Sequence, residues 1–333
     1  MAIHAGAVDA KREDVPEEEE KEFKQGLKEA LRAGYEVLKA NGTHLDAVEA
    51  SLNSLENNPI FNSARGAKIN QKFECELDAS IMNGIDRTCG AVAGVKRIKN
   101  PITAARLVME TTKHVLLIGE AADAYAEKKG LKMVPNNYFM TPAMIKEWYD
   151  VRNGEKTTVS QHETCGAIAL DQNGNLAAGT STGGITNKFA GRIGDSPHIG
   201  AGTYAKNNYC AVSCTGLGEN MIRHAVAFDL TAKMEYQGKT LKEAADAVME
   251  GLEPLTGGFI SIDSKGEFYC PHNSPGLARA YVRDDGQAKI IMFDENYFIF
   301  TQDTPVSFKV TKKSNIITYK RPNTPAMQFD AND

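Results

Sequence analysis

The feature that most restricts the fold is a pair of short, mostly apolar runs, Cys165-Gly-Ala-Ile-Ala-Leu170 and Leu176-Ala-Ala-Gly-Thr-Ser-Thr182, separated by Asp171-Gln-Asn-Gly-Asn175. An Asn-Gly step between two such runs is among the strongest local hairpin signals, so a β-hairpin is expected with Thr164 at its mouth. The preceding segment, residues 152–163, is polar and turn-rich, the composition of an exposed loop. Downstream come Gly183-Gly184, Gly191-Arg-Ile-Gly-Asp195, Gly200-Ala-Gly202 and Thr215-Gly-Leu-Gly218, mixed with hydroxyls and a few charges. Glycines let backbone approach a ligand closely, so the stretch 162–223 is expected to bind something small and polar.

The rest of the chain supplies helices and further strands. Residues 3–8 read as a short strand. Phe23, Leu27, Leu31, Tyr35 and Leu38 share one face of a helix that has Glu17 to Glu20 at its start and Asn41-Gly42 at its end. A second helix begins at Thr43 with Asp46 as a variant capping box. Residues 76–84 and 90–95 form a strand pair, Asn100-Pro101 starts a helix, and residues 114–118 read as a buried strand. Helices follow over 121–129 and 142–150, the latter with the single tryptophan, Trp148, as a packing residue. Beyond the central stretch, helices are expected over 219–232 and 240–251, then a hairpin over 258–270 and a β-rich tail over 293–333 of unassigned role. Two sheets faced by helices on both outer sides account for this order, an α+β fold in one domain.

Composition excludes several functions. A net charge of −5 with no evident basic patch argues against general affinity for nucleic acid or anionic membrane. No apolar run is long enough to span a bilayer and the N-terminus lacks a signal-peptide pattern, so the expected location is cytoplasmic. The six cysteines include no CxxC pair and read as reduced core thiols.

A threonine at a strand start is usually structural. If the chain is cut before it, however, one residue supplies a hydroxyl nucleophile and a free α-amine, whose reference pKa near 8 suits it as a base. The ordered series His162-Glu-Thr-Cys-Gly-Ala-Ile-Ala-Leu-Asp171, Gly174 to Gly184, Gly191-Arg-Ile-Gly-Asp-Ser-Pro197, Gly200-Ala-Gly-Thr-Tyr-Ala205 and Thr215-Gly-Leu-Gly-Glu219 resembles the N-terminal-nucleophile threonine hydrolases. Within them it is most similar to the plant-type asparaginases, or isoaspartyl peptidases. With Pro59-Ile-Phe-Asn62, Glu76-Leu-Asp-Ala-Ser-Ile-Met82, Ile98-Lys-Asn-Pro-Ile102 and His114-Val-Leu-Leu117, the resemblance spans about residues 3–292.

The resemblance implies a four-layer αββα sandwich and a precursor that cleaves itself between Glu163 and Thr164, giving an α-chain of 1–163 and a β-chain of 164–333. Two such pairs would form an (αβ)2 heterotetramer. Thr164 would be the nucleophile, Thr182 would orient it, and the Thr215 hydroxyl with the Gly216 N–H would form the oxyanion hole. Arg192 would hold a substrate α-carboxylate and Asp195 its α-ammonium, assisted by the Gly218 carbonyl, with Asn62 near the nucleophile. With both α-groups held, the side-chain carbonyl reacts, which selects L-asparagine or β-aspartyl dipeptides. The loop from Leu55 to Ser63 matches a sodium-binding segment of some relatives; no cofactor is required for catalysis.

Several positions depart from the family pattern. Glu163 stands where Gly is common, Cys165 replaces an aliphatic residue, and Ala5, Val8 and Ala64 replace glycines. If those glycines need positive φ, the local backbone is expected to differ. The alternatives are a glycosylasparaginase-like amidase and an unprocessed, inactive relative that acts as a binding protein.

Overall fold

The computed structural model describes residues 1–8, 12–155 and 164–293, and the backbone of 298–300. The chain runs β1 (Ala2–Val8), α1 (Glu17–Lys39), α2 (His44–Asn57), β2 (Leu77–Asn83), β3 (Cys89–Val95), α3 (Pro101–Thr111), β4 (Leu116–Ile118), α4 (Gly119–Lys128) and α5 (Pro142–Arg152) before the hairpin. It continues with β5 (Cys165–Leu170), β6 (Leu176–Thr182), β7 (Thr203–Ala205), β8 (Cys210–Gly216), α6 (Gly218–His224), α7 (Val226–Gln237) and α8 (Leu241–Glu250). Last come β9 (Gly257–Asp263), β10 (Phe268–Tyr269), β11 (Gly276–Val282), β12 (Ala288–Ile291) and β13 (Phe298–Phe300). The fold is α+β.

Capping chemistry sets the first two helices. The acidic first turn of α1 suits its positive dipole end, and Asn41 takes the left-handed conformation (φ 60°) while Gly42 N–H donates back to Val37 O at 2.8 Å. At α2 the box is complete: Asp46 N–H donates to Thr43 Oγ1 at 3.1 Å, and Thr43 N–H to Asp46 Oδ2 at 3.3 Å.

The expected hairpin exists, with β5 and β6 antiparallel and Cys165 opposite Ser181. It occupies the middle of a nine-stranded sheet ordered β13-β12-β11-β1-β5-β6-β2-β3-β4, and β10-β9-β8-β7 form a second sheet. The helices α1, α2 and α3 pack on the large sheet, α7 and α8 pack on the small one, and β5 and β6 also meet β7 and β8 across the gap between sheets. Coverage of both faces explains why β6 is buried throughout and carries small residues.

The gap is polar where the strands meet. His4 Nε2 lies 3.0 Å from Ser213 Oγ, Ser213 Oγ 2.6 Å from Thr180 Oγ1, and Thr203 Oγ1 donates to Thr180 Oγ1 at 2.6 Å. Ser80 Oγ then joins Thr203 to the carbonyl of Ser196, so hydroxyls satisfy one another across the interior. Burial lowers the His4 pKa to about 3, so its ring is neutral.

Three expectations change. Residues 114–118 are not a buried strand: β4 pairs parallel to β3 as the last strand of its sheet, and Leu116 and Ile118 are exposed by 38% and 58%. The helix expected over 219–232 breaks at Ala225, which has φ 47°. The break is stabilised because Ala227 and Phe228 N–H, in the unpaired first turn of α7, donate to Ala201 O and Gly200 O. Finally, the backbone accommodates the missing glycine at position 64: Ala64 itself takes φ 51°. Neither Ala5 nor Val8 has positive φ. Of the expected β-rich tail beyond Phe293, only the backbone pairing of β13 with β12 is described; residues 301–333 lie outside the described residues.

Candidate active site

Thr164 stands immediately before β5 and is buried, and its hydroxyl donates to Thr182 Oγ1 at 3.2 Å at the end of the paired strand β6. Thr182 Oγ1 also accepts the Gly184 N–H at 3.0 Å, so the turn after β6 fixes the orientation of the hydroxyl facing Thr164. His162 and Glu163, the other side of the expected scissile bond, lie outside the described residues.

A small cleft opens at this pair. It is lined by Thr164, Thr182, Gly184, Ile185, Arg192, Asp195, Ser196 and Gly216 among others, so residues spread over 52 positions of sequence share one surface. Arg192 presents Nε and Nη2 to both oxygens of Glu219, at 2.9 and 2.8 Å, a bidentate pair at the start of α6. The guanidinium holds the Glu219 carboxyl below its ordinary pKa. Arg192 thus pairs with Glu219, while Asp195 is buried.

Asp195 carries the strongest chemical signal. Burial pushes its pKa up to about 7, against the pull of its own backbone N–H and of Arg192. Its Oδ2 is buried without a hydrogen-bond partner among the described residues. Such an oxygen is costly unless a cationic group completes it. Gly218 lets it approach, since a Cβ there would lie 2.9 Å from Asp195 Oδ1.

Beside it, Thr215 Oγ1 accepts the Ala7 N–H at 3.3 Å, which brings β1 against β8. Gly216, at φ 136°, pairs with Gly257, at φ 127°, in the antiparallel β8–β9 ladder, a close approach that side chains would prevent. The expected site residues Thr164, Thr182, Arg192, Asp195 and Gly216 therefore converge. Asn62 stands behind the turn: its Nδ2 donates to Gly184 O at 2.7 Å and its Oδ1 accepts Lys68 N–H at 2.9 Å.

Three groups near the site have no signal in sequence beyond their presence in longer motifs. Glu219 is the partner of Arg192. Glu56, with its pKa raised to about 7 by burial, accepts from Ser181 Oγ at 2.7 Å, one residue before Thr182. Lys188 is buried, donates to Glu76 O at 2.9 Å, and is pushed down by burial against the charges of Asp78 and Glu76. Only the fold brings each of these groups to its partner.

In the loop 55–63, the carbonyls of Leu55, Glu56 and Phe61 accept N–H groups of Asn58, Arg65 and Ser63. Each of these carbonyl oxygens keeps a second lone pair. No group of three or more His, Cys, Asp or Glu side chains that could hold a metal occurs among the described residues. No disulfide joins any of the six cysteines, all of which lie among the described residues.

This arrangement and the relatives it shares define the class, an enzyme that hydrolyses C–N amide bonds. The chain belongs to the asparaginase family, whose model matches residues 1–292. A "Probable isoaspartyl peptidase/L-asparaginase 2" of Arabidopsis thaliana is 40% identical over 324 residues, covering 88% of this chain and 98% of that protein. The isoaspartyl peptidase of Salmonella typhimurium is 42% identical over 294 residues, covering 84% of this chain and 94% of its own. That of Escherichia coli is 42% identical over 295 residues, covering 84% and 92%.

Proposed function

We propose that this chain cleaves itself between Glu163 and Thr164 and then releases L-aspartate from L-asparagine and from isoaspartyl peptides. The observation that carries the reading is the juxtaposition, in one cleft, of a threonine hydroxyl pair with an arginine and a buried carboxylate, one oxygen of which has no partner among the described residues. Arg192 holds the substrate α-carboxylate and Asp195 the α-ammonium, with the Gly218 carbonyl as a further acceptor.

In self-cleavage, Thr164 Oγ attacks the Glu163 carbonyl, the peptide bond breaks, and the acyl group moves from nitrogen to oxygen; water then hydrolyses the ester. The freed α-amine of Thr164 becomes the base. In turnover it takes the hydroxyl proton as Oγ attacks the substrate's side-chain carbonyl, and gives that proton to the departing amine or ammonia. The Thr215 hydroxyl and Gly216 N–H stabilise the tetrahedral oxyanion, and Thr182 orients Oγ and amine. Water releases aspartate from the resulting ester.

The same reading takes the two helix-covered sheets as the four-layer αββα sandwich of N-terminal-nucleophile hydrolases, assembled as an (αβ)2 heterotetramer. Six cysteines not joined in disulfides favour a cytoplasmic location. No helix among the described residues is long and apolar enough to cross a membrane. Sodium held by main-chain oxygens of loop 55–63 would supply positive charge and rigidity to that loop. The test is ammonia release from L-asparagine and aspartate release from a β-aspartyl dipeptide, both abolished in Thr164→Ala; retained activity in that variant would overturn the assignment.

A further inference from the structure

Lys68 and Glu147 form a nearly dry ion pair. Lys68 Nζ lies 2.7 Å from Glu147 Oε2, with side-chain exposures of 1% and 12%. Desolvating both charges cancels much of their attraction, so such a pair is a poor source of stability and a geometric role is the better explanation for it. The second oxygen, Glu147 Oε1, accepts the buried hydroxyl of Thr186 at 2.5 Å.

These contacts close a ring around one turn. Gly183 N–H donates to Asn62 O, Asn62 Nδ2 donates to Gly184 O, Asn62 Oδ1 accepts Lys68 N–H, Lys68 Nζ binds Glu147, and Glu147 binds Thr186. Inside the ring lie Gly184 and Ile185, both of which line the cleft, and immediately before it stands Thr182. Helix α5, the last described element before the bond preceding Thr164, is thereby fixed to the cleft wall. Its neighbouring Trp148 reinforces the attachment by donating Nε1–H to Asn70 O at 2.8 Å.

We propose that Glu147 is a positioning residue: through Thr186 it sets the place of the Gly184–Ile185 wall against the substrate, so α5 remains a working part of the enzyme after self-cleavage. This rests on the amidase reading above. Loss of the Glu147–Thr186 bond loosens the wall without touching the nucleophile, so it weakens substrate binding while the acylation step is preserved.

The experiment compares wild type, Thr186→Val and the double variant Lys68→Met with Glu147→Leu, by self-cleavage, thermal midpoint and steady-state kinetics on a β-aspartyl dipeptide. The double variant removes both charges together and so avoids stranding one of them. Expected is complete cleavage in all three, a KM raised about tenfold in both variants, and a kcat within about twofold of wild type. A KM unchanged in Thr186→Val overturns the proposal, as does a loss confined to kcat or thermal midpoint at unchanged KM, which marks a merely structural pair. A wild type that neither cleaves nor turns over fails the amidase reading instead.

Discussion

The hydroxyls of Thr164 and Thr182 meet at 3.2 Å, and the Gly184 N–H holds the second from behind. Thr182→Val keeps the shape and removes the hydroxyl. Its kcat is expected to fall about a hundredfold, the usual scale for a group that orients a nucleophile and its base, with little change in KM. Steady-state kinetics on L-asparagine check this, and an unaltered kcat would contradict it.

Asp195 links recognition to stability. Its pKa is about 7 in the folded protein and ordinary in the unfolded chain, so between about pH 4 and pH 7 the folded state binds the extra proton and stability falls as pH rises. Above pH 7 the destabilisation is complete. Asp195→Asn is therefore expected to be more stable than wild type by about 1–3 kcal/mol at pH 8, with the advantage vanishing near pH 4. The same variant loses substrate binding, because the ammonium partner is gone. Urea melts at the two pH values decide the matter; equal stability at pH 8 would refute the strained carboxylate.

Arg192 uses two nitrogens on Glu219 and its guanidinium is held at the cleft. Lysine keeps the charge but not the planar fork. Arg192→Lys should raise KM by about 10- to 100-fold and leave kcat within a few-fold, since only binding of the α-carboxylate is weakened. A fall in kcat with unchanged KM would place the arginine in the chemistry instead.

At Ala64, the left-handed backbone costs an alanine about 1–2 kcal/mol. Glycine relieves that strain but removes a fully buried methyl, about 0.8 kcal/mol, and adds unfolded-state entropy of about 0.5–1 kcal/mol. The terms nearly cancel. Ala64→Gly is expected to lie within about 1 kcal/mol of wild type in denaturant unfolding, whereas Ala64→Val, β-branched at positive φ, should lose several-fold more.

Much of the architecture was legible because its signals are local. Caps at Thr43 and Asn41, proline at position 101 and the Asn173-Gly174 turn each satisfy or terminate backbone hydrogen bonds within a few residues, so sequence alone locates them. The failures share the opposite cause. Nothing in Val115 to Ile118 records that β4 has a neighbour on one side only, and the break at Ala225 depends on carbonyls of residues 200 and 201. In the cleft, Thr164, Arg192 and Asp195 stand within recognisable motifs, whereas Glu219, Glu56 and the Lys68–Glu147 pair gain their meaning from partners 27 or more residues away.

The central claim is that Thr164 becomes an N-terminal nucleophile, and the denatured mass of the purified protein tests it most directly. The account predicts two fragments, of 163 residues and of the remaining 170 of the 333, the second beginning at Thr164, and a single full-length chain in Thr164→Ala. A wild-type protein that remains one intact chain while hydrolysing L-asparagine would contradict it.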